Sequence, residues 1–218
     1  MHISDGILSL GWCAFWYIVC IPFWILGVRR IRRRSAEDQK YKPMLALFGS
    51  AIFVISVWHI PVPVTGSCSH PVGTPLSAII VGPFATVVLS TIALFFQAFL
   101  GHGGITTLGA NTFSMGIVGT FTGYATYVLL RKLRAPLWLS AGMAGFVGDM
   151  MTYVTSAFEL AIGLHPHAVL RYWLIFFMGY GPTQIPLAIG EFLFTAGVIE
   201  YLAERRPELV KMGVSSYA

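Results

Sequence analysis

The chain has 218 residues, 56% of them hydrophobic and only 11% charged, with a mean hydropathy of +0.73. A soluble domain carries roughly 25% charged residues, so this deficit excludes an ordinary soluble protein and defines a polytopic, all-α membrane protein of one transmembrane domain, residues 1–218. The formal net charge of +5 does not point to nucleic acid, because the basic residues flank apolar stretches, where they report orientation.

Met1–Leu10 contains no Lys or Arg, and positive charge follows the first apolar stretch, the reverse of a cleavable signal peptide. Met1 is therefore expected to be the mature start. Ile7–Val28 is the first span, apolar and rich in aromatics, followed by Arg29, Arg30, Arg32, Arg33, Arg34, Lys40 and Lys42. It is long enough to cross a hydrocarbon core of about 30 Å. Met44–Ile60 is the second span, closed by His59 and the turn signal Pro61-Val62-Pro63. A polar loop then carries His70.

Apolar sequence runs from Leu76 to Leu100 with Gly82-Pro83 inside it. One helix there gives six crossings; a short entering segment, Pro71–Val81, with Pro83–Leu100 returning, gives seven. After the loop Gly101-His102-Gly103-Gly104 come the spans Ile105–Leu130, Leu137–Ile162 and Tyr172–Leu202, with Arg131, Lys132 and Arg134 after the first and Arg205, Arg206 and Lys211 after the last. With seven segments, every Lys and Arg except Arg171 falls on one side, 13 of the 14. The positive-inside bias thus favours seven, with the N-terminus outside and the C-terminus cytoplasmic. The short segment need only dip into the membrane, buried by its neighbours.

In that arrangement His2, His70, His102, His165 and His167 lie in outer segments and His59 at the outer end of its span. Met1-His2 is itself a chelate: the α-amine, the His2 amide nitrogen and His2 Nδ1 close fused rings around one cation. An imidazole such as His70 can fill the remaining in-plane position. Such an all-nitrogen tetragonal set suits Ni(II), Cu(II) or Co(II), not Mg²⁺ or Ca²⁺. Three cysteines make no disulfide framework, and Cys13 and Cys20, seven apart on one helical face, are too distant to bond each other. Gly109, Gly116, Gly119 and Gly123 read as one packing face, and Ala141 with Gly145 as another. Asp149, Glu159 and Glu191 are ionisable groups inside apolar spans, the two glutamates being candidates for interhelical hydrogen bonds. Asn111 is expected to tie down the first turn of its helix.

These segments resemble the CbiM/NikM family, the cobalt- and nickel-binding membrane subunits of energy-coupling factor (ECF) transporters. The resemblance lies in Met1-His2-Ile3-Ser4-Asp5-Gly6, in Val64–Thr74 with its Ser67-Cys68-Ser69-His70 core, and in His102–Asn111. It extends to Gly148-Asp149 with Thr152–Thr155, and to Thr183–Ile189. The Ser67-Cys68-Ser69 context and His102 resemble the cobalt (CbiM) branch. The resemblance implies seven helices, the first added to the six-helix core of vitamin-binding relatives. It implies one metal ion held by the Met1 amine, the His2 amide, the His2 imidazole and His70, while His165 and His167 match no ligand position.

The implied function is the substrate-binding (S) subunit of an ABC-type importer in the cell membrane, carrying Co(II) for cobalamin biosynthesis, with Ni(II) as the alternative cargo. Its implied partners are a transmembrane coupling (T) subunit, a pair of ATPases and a small accessory membrane protein. Nothing in the chain can use ATP itself, because no lysine follows a glycine and the phosphate-cradling G-x-x-x-x-G-K-[ST] loop is absent. The chain is therefore not expected to be an enzyme. An intramembrane metalloenzyme using Asp149 or Glu159 is disfavoured, since a filled nitrogen set leaves no open position for substrate. A metal-gated channel is the third reading.

Overall fold

In the computed structural model, residues 2–58, 60–62 and 67–210 are described. The chain is mostly helical: α1 Leu10–Glu37, α2 Tyr41–Val57, α3 Thr74–Val81, α4 Pro83–Phe99, α5 Leu108–Lys132, α6 Leu137–Leu164 and α7 Val169–Arg205. One feature departs from the all-helical expectation. Ile60–Val62 (β1) and Ser67–Ser69 (β2) pair antiparallel, Pro61 opposite Cys68, where a polar loop is predicted. Strands of three residues carry too little alternation to be read from sequence.

Helix ends depart from the apolar boundaries for local reasons. α1 runs through the whole Arg29–Arg34 cluster to Glu37, because the cluster's long side chains are good helix formers and Arg33 pairs with Glu37 four residues on. α2 stops at Val57, so Ile60 belongs to the hairpin. α5 starts at Leu108 rather than Ile105. The preceding residues are tied to the N-terminal segment instead: Asp5 accepts from the Ile105 and Thr106 amides and from Thr106 Oγ1. The Thr106 hydroxyl is the chief reason the Asp5 carboxyl is held below the usual carboxylate range, burial opposing it. α7 begins at Val169 and continues through Pro182 and Pro186, which neighbouring helices in a membrane bundle tolerate.

The α3–α4 junction reverses the chain. Ser77 Oγ lies 3.0 Å from Thr86 Oγ1, whereas on one straight helix these Cα atoms would stand about 13 Å apart. Gly82, at φ 93°, makes the reversal, and Pro83 opens α4. All eight residues of α3 are buried. Its length of about 12 Å is far short of a bilayer core, so it is a buried arm rather than a full span. Among the described residues, three helices, α1, α5 and α7, are long and apolar enough to cross a membrane, and α2 and α4 are shorter apolar helices. α6 has 28 residues but is largely enclosed by its neighbours and carries Asp149 and Glu159.

Contacts fix the helix directions. α1 and α4 are antiparallel, Trp24 Nε1 bonding Thr91 Oγ1 at 2.8 Å and Gly27 facing Phe84. α2 and α4 are parallel, with Tyr41 OH on Val81 O at one end and Ser56 on Gln97 at the other. α6 and α7 are antiparallel, as the His165–Tyr172, Tyr153–Tyr180 and Trp138–Phe192 ring pairs show. The C-termini of α1, α5 and α7 and the N-termini of α2 and α6 therefore gather at one end of the bundle. All Lys and Arg among the described residues lie there except Arg171, which stands in the first turn of α7.

The α5 glycines do not make one face toward one neighbour. Residues Thr112–Gly119 are wound as π-helix, which changes the angular spacing, so the glycines divide among three partner helices. A side chain at Gly109 would meet Tyr17 N of α1 at 2.6 Å; Gly116 abuts Ser90 of α4, Gly119 abuts α6, and Gly123 meets Ala144 O at 2.8 Å. These glycines close the interior of this chain, the reason small residues serve where helices cross closely. One apolar core links Ile3 at the N-terminus to Ile199 of α7.

Candidate metal site

The N-terminal segment folds into the end of the bundle opposite the Lys and Arg residues. His2 is 2% exposed and Ile3 fully buried. Two bonds from Asn111 read the Ile3 peptide from both sides: Ile3 N donates to Asn111 Oδ1 at 2.8 Å, and Asn111 Nδ2 donates to Ile3 O at 3.1 Å. Thr107 Oγ1 adds a bond to Ile3 O at 2.5 Å, and Ser67 Oγ one to His2 O at 2.9 Å. Asn111 thus holds the N-terminal segment rather than the start of its own helix. Gly103 and Gly104 lie close over this segment; a side chain at Gly103 would touch Asn111 and the His2 ring, and one at Gly104 would collide with Asp5.

His2, Cys68 and His70 are all buried, with their ligand atoms within 4.8 Å of one another. Strand geometry brings in two of them, since residues two apart in extended chain share a side. Cys68 and His70 face His2, while Ser69 turns away to Thr183 Oγ1 at 2.8 Å. The His2 and His70 rings are stacked, centroids 4.4 Å apart.

Which nitrogen of His2 carries the proton follows from a chain of donors. Phe53 O can only accept, so Gln97 Nε2 points at it (3.2 Å) and also at Ser56 Oγ (2.8 Å), whose own hydrogen goes to Ile52 O. Gln97 Oε1 therefore faces His2 Nε2, 2.8 Å away, and accepts its N–H. Nδ1, the atom a Met1–His2 chelate uses, is left with its lone pair toward Cys68 Sγ at 3.4 Å. His70 is set the opposite way: Nδ1 donates to Pro71 O at 2.8 Å, so Nε2 is the nitrogen that carries the lone pair. Such outer partners fix the tautomer and orientation of metal-binding imidazoles.

The His70 backbone is clamped as well. Its N–H donates to Tyr153 OH at 2.8 Å, and that hydroxyl donates to His70 O at 3.0 Å. The Glu191 carboxylate accepts from Val72 N at 3.0 Å and Gly73 N at 2.8 Å, so it holds the turn after His70 rather than bonding another helix as expected. Gly73 takes φ 66°, which suits glycine. Asp149 bonds Gln184 of α7. Both carboxylate oxygens of Glu159 are buried, with no hydrogen-bond partner among the described residues.

Of the predicted ligands, His2 and His70 are brought together, and Met1 lies outside the described residues. Among the described residues, the outer histidines do not form one group. His102 borders the same site, its ring 6.3 Å from that of His2, and lines a cavity of about 170 Å³ with His2, Ser67 and Cys68. His165 stacks on Tyr172 instead, and neither it nor His167 joins the ligand group. His59 falls outside the described residues. The three cysteines form no disulfide among the described residues.

Gln97, Tyr153 and the clamping role of Asn111 were not evident from the sequence. The available signal is a lone amide in the apolar stretch Leu94-Phe95-Phe96-Gln97-Ala98-Phe99. Gln97→Leu should leave the helices intact and weaken metal binding by roughly 10- to 100-fold, the scale of an outer-shell partner. Isothermal titration with Co(II) measures this; unchanged affinity would remove Gln97 from the site.

A bundle of apolar helices around a buried group of side chains able to hold a metal ion is the architecture of a membrane metal-handling protein. Two solved structures described as a transition metal transporter share the fold. One, of a truncated form, has a TM-score of 0.84 and 30% identity, covering 94% of this chain and 99% of its own. The other has a TM-score of 0.84 and 29% identity, covering 99% and 98%.

Residues 2–209 match the family CbiM, described as the cobalt uptake substrate-specific transmembrane region, and the chain belongs to that family. Its relatives include the "Cobalt transport protein CbiM" of Sorangium cellulosum, 44% identical over 96% of this chain and 94% of the relative. The "Putative cobalt transport protein CbiM" of Methanosphaera stadtmanae is 45% identical over 99% and 97%.

Proposed function

We propose that this chain captures one Co(II) ion as the substrate-specificity subunit of an ECF-type importer, and that the Met1 amine, the His2 amide, His2 Nδ1 and His70 Nε2 bind it in a plane. The observation that carries this reading is the directed hydrogen bonding at the site. Gln97 fixes His2 so that Nδ1 is the lone-pair nitrogen, and Pro71 O fixes His70 so that Nε2 is. Family membership supports cobalt as the cargo. The protein strips water from the ion and holds it on preset donors, with the Tyr153 and Asn111 clamps limiting reorganisation. No step in this role breaks or makes a covalent bond in a substrate.

The gathering of Lys and Arg at one end supports seven membrane segments in one domain, the histidine end outside and the basic end cytoplasmic. The energy then comes from a pair of ATPases acting through a coupling subunit, with a small accessory membrane protein. Two readouts test the proposal in cells. Cobalt uptake should require both this chain and its ATP-hydrolysing partners; uptake by the chain without them would make it a channel. In a cysteine-free background, a cysteine at exposed Gly101, in the same loop as Gly103 and with open space around it, should label from outside and one at Arg131 only from within, and labelling of position 101 solely from the cytoplasm would overturn the orientation.

A further inference from the structure

Cys68 stands where it can add a fifth donor to the ion. Its Sγ lies 3.4 Å from His2 Nδ1. A first-row divalent ion at about 2.3 Å from sulfur and about 2.0–2.1 Å from nitrogen spans that gap with an N–M–S angle of about 100°. The sulfur is also within 4.8 Å of the His70 ligand atom, and the three side chains are buried together. In a plane already filled by four nitrogens, a donor near a right angle to Nδ1 stands above the plane.

We infer that Cys68 is the apical thiolate ligand of the cargo ion and the residue that favours Co(II) over Ni(II). This inference rests on the Met1–His2–His70 chelate proposed above. Before capture the Cys68 S–H donates to His2 Nδ1, the ring nitrogen that carries no proton because Nε2 donates to Gln97. On capture that S–H bond breaks, its proton leaves to water, and the sulfur and Nδ1 lone pairs both turn onto the metal; no electron changes hands. A planar four-nitrogen set alone suits Ni(II) and Cu(II). Low-spin d⁸ Ni(II) gains little from a ligand on the axis, whereas d⁷ Co(II) accepts one, so an apical sulfur raises the affinity for cobalt selectively.

The test uses the full chain with its native N-terminus, purified in detergent and titrated separately with Co(II) and Ni(II). The wild-type cobalt complex should show a near-ultraviolet thiolate-to-cobalt charge-transfer band. Cys68→Ala and the size-conserving Cys68→Ser should both lose the band, with monodispersity in size-exclusion chromatography as the folding control. Co(II) affinity should fall about tenfold or more, the scale set by groups around a bound metal, while Ni(II) affinity changes far less. A wild-type complex without the band, or equal weakening of both ions, overturns the inference. His2→Ala separates it from the underlying chelate. Loss of binding there, with no band in wild type, leaves the chelate standing and removes Cys68; binding and band both retained in His2→Ala removes the chelate and keeps the sulfur ligand.

Discussion

Replacing His70 with alanine is expected to lower Co(II) affinity by about 100-fold or more, since it removes a direct ligand where even an outer partner commands roughly 10- to 100-fold. The substitution should not unfold the chain. The neighbouring turn is held through backbone groups, by Tyr153 on the His70 peptide and by Glu191 on Val72 and Gly73. His165→Ala is the matched control, because His165 stacks on Tyr172 outside the ligand group. Equilibrium titration of both variants with Co(II) checks the contrast. A His70→Ala protein that binds like wild type, or a His165→Ala protein equally impaired, would show that the site lies elsewhere.

The arrangement of the helices could largely be read from the sequence because hydropathy and charge are strong, cumulative signals. The apolar stretches are helices, and the reversal at Gly82-Pro83, inferred from where the basic residues would fall, is present in the Ser77–Thr86 contact. Ligand chemistry called for an imidazole beside His2, and the family resemblance singled out His70, which the structure brings to it. What holds the two was not legible. Gln97, Asn111 and Tyr153 act as single side chains at single positions, across 95, 108 and 83 residues of chain. No periodicity marks such contacts. The hairpin that aligns Cys68 with His70 is equally silent, since its strands have three residues each. The glycines of α5 misled for a related reason. A one-face reading assumes 3.6 residues per turn, and the π-wound stretch Thr112–Gly119 breaks that spacing.

The second large effect is expected at the N-terminus, which the account treats as a chemical group rather than a chain end. Acetylating the α-amine, retaining a formyl group or adding a residue before Met1 removes or displaces the first donor of the chelate. An inserted alanine between Met1 and His2 changes the ring size of the chelate while leaving the Asn111-held peptide at Ile3 in register. None of these changes alters α1–α7, so membrane insertion and folding should survive. Because the ligands bind in deprotonated form, metal capture releases protons and should tighten as pH rises.

The most direct measurement of the central claim is therefore Co(II) binding and uptake by two forms of the chain, one beginning at native Met1 and one carrying a single added residue ahead of it. The account predicts one ion bound per native chain, and affinity reduced by about 100-fold or more in the extended form, with cobalt uptake lost in parallel. An extended chain that binds and imports cobalt like the native one would contradict it.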